Sequence, residues 1–248
     1  MRVAALYDIH GNLPALEAVL GELRKQPVDR IVIGGDVVPG PLPRECIDLL
    51  LDIDTPIDFI SGNGDRALRD IMNGEDPSSV PEQAWPVMRW TASQLDEKYK
   101  PVIESWPPTF QLDIEGTGRV LFCHATPQSD RPIFTKRTAE EKLIPLFSDL
   151  GVDLVVCGHT HMQFDRHVSK VRVVNAGSVG MPFGKPGAYW LLLDSGVHLQ
   201  RTDYDLARAA ERIRQSAYPD RDTFADRNIL APASEESMLE AYGKAELK

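Results

Sequence analysis

Val3-Ala4-Ala5-Leu6-Tyr7-Asp8-Ile9-His10-Gly11-Asn12 is the stretch on which the reading of the fold turns. An uninterrupted apolar run ends abruptly in an acid, a histidine, a glycine and an asparagine. Short continuous apolar runs suit strands buried on both faces. The rhythm recurs. Ile31 to Ile33 runs into Gly34-Gly35-Asp36, and Ile57 to Ile60 into Ser61-Gly62-Asn63-Gly64-Asp65. Val120 to Cys123 runs into His124, and Leu154 to Cys157 into Gly158-His159-Thr160-His161.

Helical patterns fill the intervals. Leu13, Leu16, Leu20 and Leu23 mark one helical face, with Asn12 as N-cap and Pro14 tolerated in the first turn. Pro43 opens a second helix carried by Ile47, Leu50 and Leu51. Thr138 and Glu141 read as a capping box, Gly151 as the end of that helix, and Pro145 as a cause of a kink or a later start. Further on, Val171 to Val174, Tyr189 to Leu193 and Val197 to Leu199 predict a meander and a second sheet. Asp205 to about Ser216 predicts an amphipathic helix through Leu206, Ala209, Ala210 and Ile213, and the tail a further short helix. Residues 66–110 hold Trp85, Trp90 and Trp106 among many prolines. They read as a helical insertion whose tryptophans either pack or wall the site. The expectation is one α/β domain over residues 1–248, with the insertion at about 66–110 and a C-terminal helical tail at about 204–248.

Hydrophobic residues make up 42% of the chain, enough to cover a sheet on both faces. The net charge of −10 gives no general attraction to the dense negative charge of nucleic acid, so extended nucleic-acid binding is not expected. Bound divalent cations reverse the field locally, so an anionic small substrate remains compatible with it. Cys46, Cys123 and Cys157 form no CxxC pair and read as small buried hydrophobes in a reducing cytoplasm. No signal-peptide core or membrane-length apolar run is present in the sequence.

The strand ends supply Asp8, His10, Asp36, Asn63, His124, His159 and His161, each a hard or borderline metal ligand. In an open α/β sheet the loops at the carboxyl ends of strands converge on one crevice, so these residues can meet despite their separation in sequence. Asp8/His10 and His159/His161 are each two residues apart, and in extended chain such residues point the same way. Any one of these residues has an ordinary explanation as a cap, a turn residue or a surface histidine. Jointly, four of the six histidines fall directly after apolar runs, and that coincidence favours a metal site. His167 and His198 fall outside the clusters.

Asp8-Ile9-His10-Gly11-Asn12, Gly34-Gly35-Asp36, Gly62-Asn63-Gly64-Asp65, His124-Ala125 and Gly158-His159-Thr160-His161 resemble, in order, the five motif blocks of the calcineurin-like metallophosphoesterase superfamily. Asn175-Ala176-Gly177-Ser178-Val179 resembles the segment that follows in its compact bacterial and archaeal phosphodiesterase branch. The resemblance implies a four-layer α/β/β/α sandwich, two packed mixed sheets flanked by helices. It implies two divalent metal ions: Asp8, His10 and His161 on the first, Asn63, His124 and His159 on the second, Asp36 bridging both. It further implies hydrolysis by a metal-bridging hydroxide, with Asp36, Asn63 and His124 as the catalytic core. Family members use Mn, Fe, Zn or Ni. The mixed His/Asp/Asn set favours a transition metal over Mg²⁺ alone, and Mn is the expectation.

One departure bears on substrate. Where many members read Gly-Asn-His, this chain has Gly64, so no imidazole there protonates a poor leaving group. The compact branch also lacks that histidine. The expectation is therefore a phosphodiesterase on a small nucleotide-type substrate. A phosphomonoesterase or protein phosphatase, a diadenosine tetraphosphate-type hydrolase and a non-catalytic protein-binding scaffold are the alternatives. Arg66 either binds a phosphate oxygen or pairs with Asp65 or Asp70. Lys185, in the Gly180 to Gly187 loop, is a second candidate for substrate phosphate, with an exposed loop lysine as the favoured reading.

Overall fold

In the computed structural model, which describes residues 1–247, the apolar runs become strands. In chain order these are β1 (Val3–Leu6), β2 (Arg30–Ile33), β3 (Ile57–Phe59), β4 (Thr109–Ile114), β5 (Gly118–Cys123), β6 (Leu154–Cys157), β7 (Phe164–Val168), β8 (Val171–Asn175), β9 (Ala188–Leu193) and β10 (Val197–Thr202). They form two mixed sheets, β10-β9-β1-β2-β3 and β4-β5-β6-β8-β7. β1, β2 and β3 run parallel, as do β5, β6 and β8, while the hairpins β9–β10, β4–β5 and β7–β8 are antiparallel.

Three cores separate four layers. β1 is buried on both faces. Ala4 and Leu6 pack against the helices of one outer layer, while Val3 and Ala5, with Tyr7 beyond the strand, pack against Val120, Phe122, Leu154 and Val156 of the other sheet. Leu121, Cys123, Val155 and Val173 on the far face of the second sheet cover Phe134, Leu143 and Phe147. The architecture is the expected α/β/β/α sandwich.

The helices are α1 (Leu13–Lys25), α2 (Pro43–Leu51), α3 (Asn63–Met72), α4 (Trp85–Ser93), α5 (Lys100–Glu104), α6 (Glu140–Phe147), α7 (Leu206–Arg214), α8 (Arg221–Phe224) and α9 (Glu235–Gly243). α1 buries Leu13, Leu16, Leu20 and Leu23, and the Asn12 side chain accepts from Ala15 N at 3.3 Å. α2 opens at Pro43 and buries Ile47 and Leu50, whereas Leu51 is exposed. α7 is capped by Asp205 and buries Ala209, Ala210 and Ile213. Between α3 and β4 the chain is helical. Trp106 stacks on Phe59 at 5.0 Å, and Trp90 meets Tyr218 edge-on at 5.2 Å, so both tryptophans pack. Among the described residues no helix is long and apolar enough to cross a membrane.

Two local expectations fail. α6 starts at Glu140 behind Ala139, because the Thr138 hydroxyl is already accepting from Thr135 N at 2.9 Å. That helix contains Pro145 and ends at Phe147, four residues short of Gly151, where Ser148 returns to extended backbone. The late strands also divide between the sheets. β8 joins the second sheet, but the β9–β10 hairpin adds to the first, where β9 pairs with β1. The sequence pattern marks the hairpin and not which sheet edge receives it.

Candidate metal centre

The turns after β1, β2, β5 and β6 and the first turn of α3 bring the seven candidate residues together. Asp8, His10 and His161 offer ligand atoms within 4.8 Å of one another, and so do Asp8, Asp36 and His124. His10 Nε2 lies 3.2 Å from His161 Nε2, and His124 Nε2 lies 3.1 Å from Asn63 Oδ1. The His124 and His159 rings meet edge-on at 5.1 Å.

The two-residue spacing works by a different device from the expected extended chain. The strands stop at Leu6 and Cys157, and Asp8, His10, Asp36, His159 and His161 all take positive φ, between 49° and 67°. This left-handed region costs an L-residue roughly 1 kcal/mol or more. Five of the seven candidates are thus turned inward by local backbone strain, which neighbouring hydrogen bonds hold in place. Asp8 N donates to Gly35 O at 3.0 Å and His10 N to Asp36 O at 2.9 Å. The Asp8 carboxylate accepts from His159 N at 2.9 Å, and the Ser178 hydroxyl donates to Asp8 O at 2.8 Å.

The imidazoles are oriented by main-chain carbonyls. The Nδ1 atoms of His10, His124 and His161 face Pro39 O (3.2 Å), Gly34 O (2.9 Å) and Met181 O (2.7 Å). A proton on Nδ1 satisfies each carbonyl and leaves the Nε2 lone pair facing the centre, the arrangement a metal-ligating histidine uses. His159 is reversed. Its Nε2 faces Arg131 O at 3.1 Å, so its inward nitrogen is Nδ1. Phe183 stacks on His161 at 5.6 Å, and Tyr242 of α9 meets Phe183 edge-on at 6.1 Å.

Charge in the cluster fits a cation. Asp8 Oδ1 is buried with no hydrogen-bond partner, with His161 Nε2 3.3 Å away. Burial alone would raise the Asp8 carboxyl, but His161 and the other imidazoles outweigh it and hold it below the usual carboxylate range. Burial pulls His124 and His161 down, yet Asp36 and Asp8 outweigh it and raise both. His159 is lowered to about 4, by burial first and His124 second, and stays neutral at physiological pH. An orphaned buried carboxylate oxygen, inward-facing imidazole nitrogens and an amide oxygen form a donor set suited to borderline divalent cations.

Asp65 is the residue whose part the sequence reading missed. Fully buried at the third position of α3, it accepts from Asp36 N (2.7 Å), Val37 N (3.0 Å) and Gly62 N (3.1 Å), tying the Asp36 turn to the helix that carries Asn63. A carboxylate three residues beyond the N-cap Gly62 was the available signal. The carbonyls of Arg131 and Met181 carry no such signal. Gly64 lies where any Cβ would come within 2.6 Å of Pro39 Cγ and 3.0 Å of Asp36 Oδ1, and its N–H donates to Asp36 Oδ1 at 2.7 Å. Of the two candidate substrate residues, Arg66 has a partner that was not expected and Lys185 is the exposed loop lysine that was. Arg66 pairs with neither Asp65 nor Asp70 but grips Asp130 through Nε (2.8 Å) and Nη2 (2.6 Å). Lys185 is exposed, and its carbonyl accepts from the Tyr189 hydroxyl at 2.9 Å.

Residues 1–196 match the calcineurin-like phosphoesterase superfamily domain. The chain belongs to that superfamily and is a hydrolase of phosphoric esters, of a family that works with divalent metal ions. It is 27% identical over 242 residues to an uncharacterized protein of Methanocaldococcus jannaschii, covering 88% of this chain and 94% of that one. A metallophosphoesterase from Sphaerobacter thermophilus superposes with a TM-score of 0.74 at 25% identity, over 93% of this chain and 98% of that one. A hypothetical protein from Pyrococcus horikoshii shares the fold, with a TM-score of 0.77 at 19% identity over 94% and 99%.

Proposed function

We propose that the protein is a phosphodiesterase acting on a small nucleotide-type substrate in the cytoplasm. In this reading Asp8, His10 and His161 hold one divalent cation, and Asn63, His124 and His159 the second. Asp36 is shared between them, and Mn²⁺ is the expected metal. When bound, such a pair clamps an in-line phosphoryl displacement and makes water a nucleophile near neutral pH. The protein's own residues set the geometry. Asp36 is fixed from below by Gly64 N–H, and the main-chain carbonyls hold the imidazoles in one tautomer. The three free, buried cysteines suit a reducing compartment, and the net charge of −10 suits a small anion at a metal better than an extended nucleic acid.

The observation that carries the choice of diester is the packing at Gly64. Pro39 and Asp36 crowd the position a Cβ would take, and glycine has no side chain to deliver a proton to a poor leaving group. Metal-stripped protein with added Mn²⁺, offered bis-p-nitrophenyl phosphate beside p-nitrophenyl phosphate, is expected to cleave the diester preferentially. Asp36→Asn is expected to abolish that turnover and leave the far-UV spectrum intact. Preference for the monoester, or near-wild-type turnover by Asp36→Asn, would remove the proposal.

A further inference from the structure

A cleft of about 500 Å³ opens beside the candidate ligands, lined by Ser61, Arg66, Arg69, Trp106, His124 and the loop 126–130. His124 is its inner end. The face of α3 that carries Arg66 and Arg69, one helical turn apart, is a wall. The two arginines differ in what they are free to do. Arg66 spends Nε and Nη2 on Asp130, a bidentate grip that pins the loop to α3. Arg69 keeps a third of its side chain exposed, and its recorded ion pair is with adjacent Asp70 at 3.9 Å, the outer limit of contact. Asp130 and Asp70 balance the two guanidiniums in number, but Arg69 is the loosely held one, so it is the cation free to turn into the cleft.

The cleft reads charge better than it stacks a base. Trp106 is only 5% exposed, and its ring is already stacked on Phe59, so it offers an edge. Arg69 is six residues along α3 from Asn63, about 9 Å of helix rise between their backbones. An arginine rooted that far along the helix is better placed for a phosphate held across a sugar than for one joined directly to the scissile group.

We infer that this cleft holds a second phosphate of the substrate, one sugar removed from the scissile diester, and that Arg69 selects for it. The inference rests on the phosphodiesterase reading above, and its test separates the two. The probes are thymidylyl-(3′→5′)-thymidine with and without a 5′-terminal phosphate, given to the Mn²⁺-loaded protein. The phosphorylated dinucleotide is expected to be favoured by about tenfold in kcat/KM, chiefly through KM, as one charge-assisted contact supplies. Arg69→Gln should bring the ratio close to one, and Arg69→Lys should restore part of it. A ratio taken within each variant cancels any general loss from misfolding. Calorimetric binding of thymidine 3′,5′-bisphosphate against thymidine 3′-monophosphate gives the same comparison without turnover. If neither dinucleotide is cleaved while binding still prefers the bisphosphate through Arg69, the diesterase reading fails and the second-phosphate site stands. Equal kcat/KM for the two dinucleotides, or a preference that survives Arg69→Gln, overturns the inference.

Discussion

Replacing Asp65 by asparagine removes one acceptor oxygen from a fully buried carboxylate that serves several main-chain donors. Oδ2 accepts from Asp36 N and Gly62 N, and Oδ1 from Val37 N, with Val38 N at 3.4 Å. The better amide orientation keeps its oxygen at the Oδ2 position and turns NH₂ towards Val37 N–H. At least one buried donor is then orphaned, at about 1–3 kcal/mol, and the weaker contact to Val38 is lost as well. The expected destabilisation is about 2–4 kcal/mol, measured by urea denaturation with Mn²⁺ present. Because Asp36 sits on the displaced turn, kcat should fall by about a hundredfold, the scale of a 1 Å misplacement. The pH profile supplies a second reading. In chelator, burial first and Asp36 second push the Asp65 carboxyl up to about 7, against the pull of its backbone donors. A carboxyl raised above its unfolded value contributes stability that is full below about pH 4 and is lost as pH rises through 7. The stability gap between wild type and the non-titrating variant should therefore narrow across that window. Bound cations offset the charge of Asp36 and should keep the gap open at pH 7. A change under 1 kcal/mol with unaltered kcat, or a gap that widens with pH in chelator, would refute the reasoning.

Gly64→His, the substitution that restores the common family residue, should destabilise by about 1–3 kcal/mol through overpacking on Pro39 and give no gain in p-nitrophenyl phosphate hydrolysis. Burial pushes the Asp130 carboxyl up, but Arg66 outweighs it and holds it below the usual range. Its contribution is therefore present above about pH 4 and lost as pH falls through the lowered value. Thermal melts from pH 6 downward should show a shallower acid loss for Asp130→Asn than for wild type. Mn²⁺ at about a thousand times its Kd should stabilise the fold by about 4 kcal/mol per site, and chelation should reverse the gain in melting temperature. A melting temperature indifferent to both would remove the metal centre.

The strand ends were legible because a both-sides-buried strand leaves an unbroken apolar run, and Asp8, Asp36, His124 and His159 each follow one closely. The helix through Leu13, Leu16, Leu20 and Leu23 was legible from period and cap. β4 was readable and passed over. Thr109 to Ile114 alternates, but the strand begins inside the tail of the helical stretch at about 66–110 and its remainder carries no apolar run. Other features lay beyond local pattern. That Arg66 takes Asp130 depends on a loop 64 residues away, and that β9 pairs with β1 depends on which edge is free. The left-handed backbone at Asp8, His10, His159 and His161 hides in sequence, because Asp and His tolerate that region but occupy it only uncommonly, so the residue type alone does not mark it.

That turn geometry also bears on how the first strand finds its place. A strand with one wet face is registered by alternation, since a slip of one residue exposes its apolar set. β1 has no wet face. Val3, Ala4, Ala5 and Leu6 are all buried, so a slip would exchange one apolar surface for another. What penalises the slip is the polar end of the run. The Tyr7 hydroxyl reaches Val156 O at 3.0 Å, and Asp8 N and His10 N bond to the turn after β2. Shifted by one residue, the buried hydroxyl and the Asp8 carboxylate would each lose their partners. The candidate metal ligands Asp8 and His10 therefore also specify the alignment of the first sheet, so the same positions carry both the site and the register.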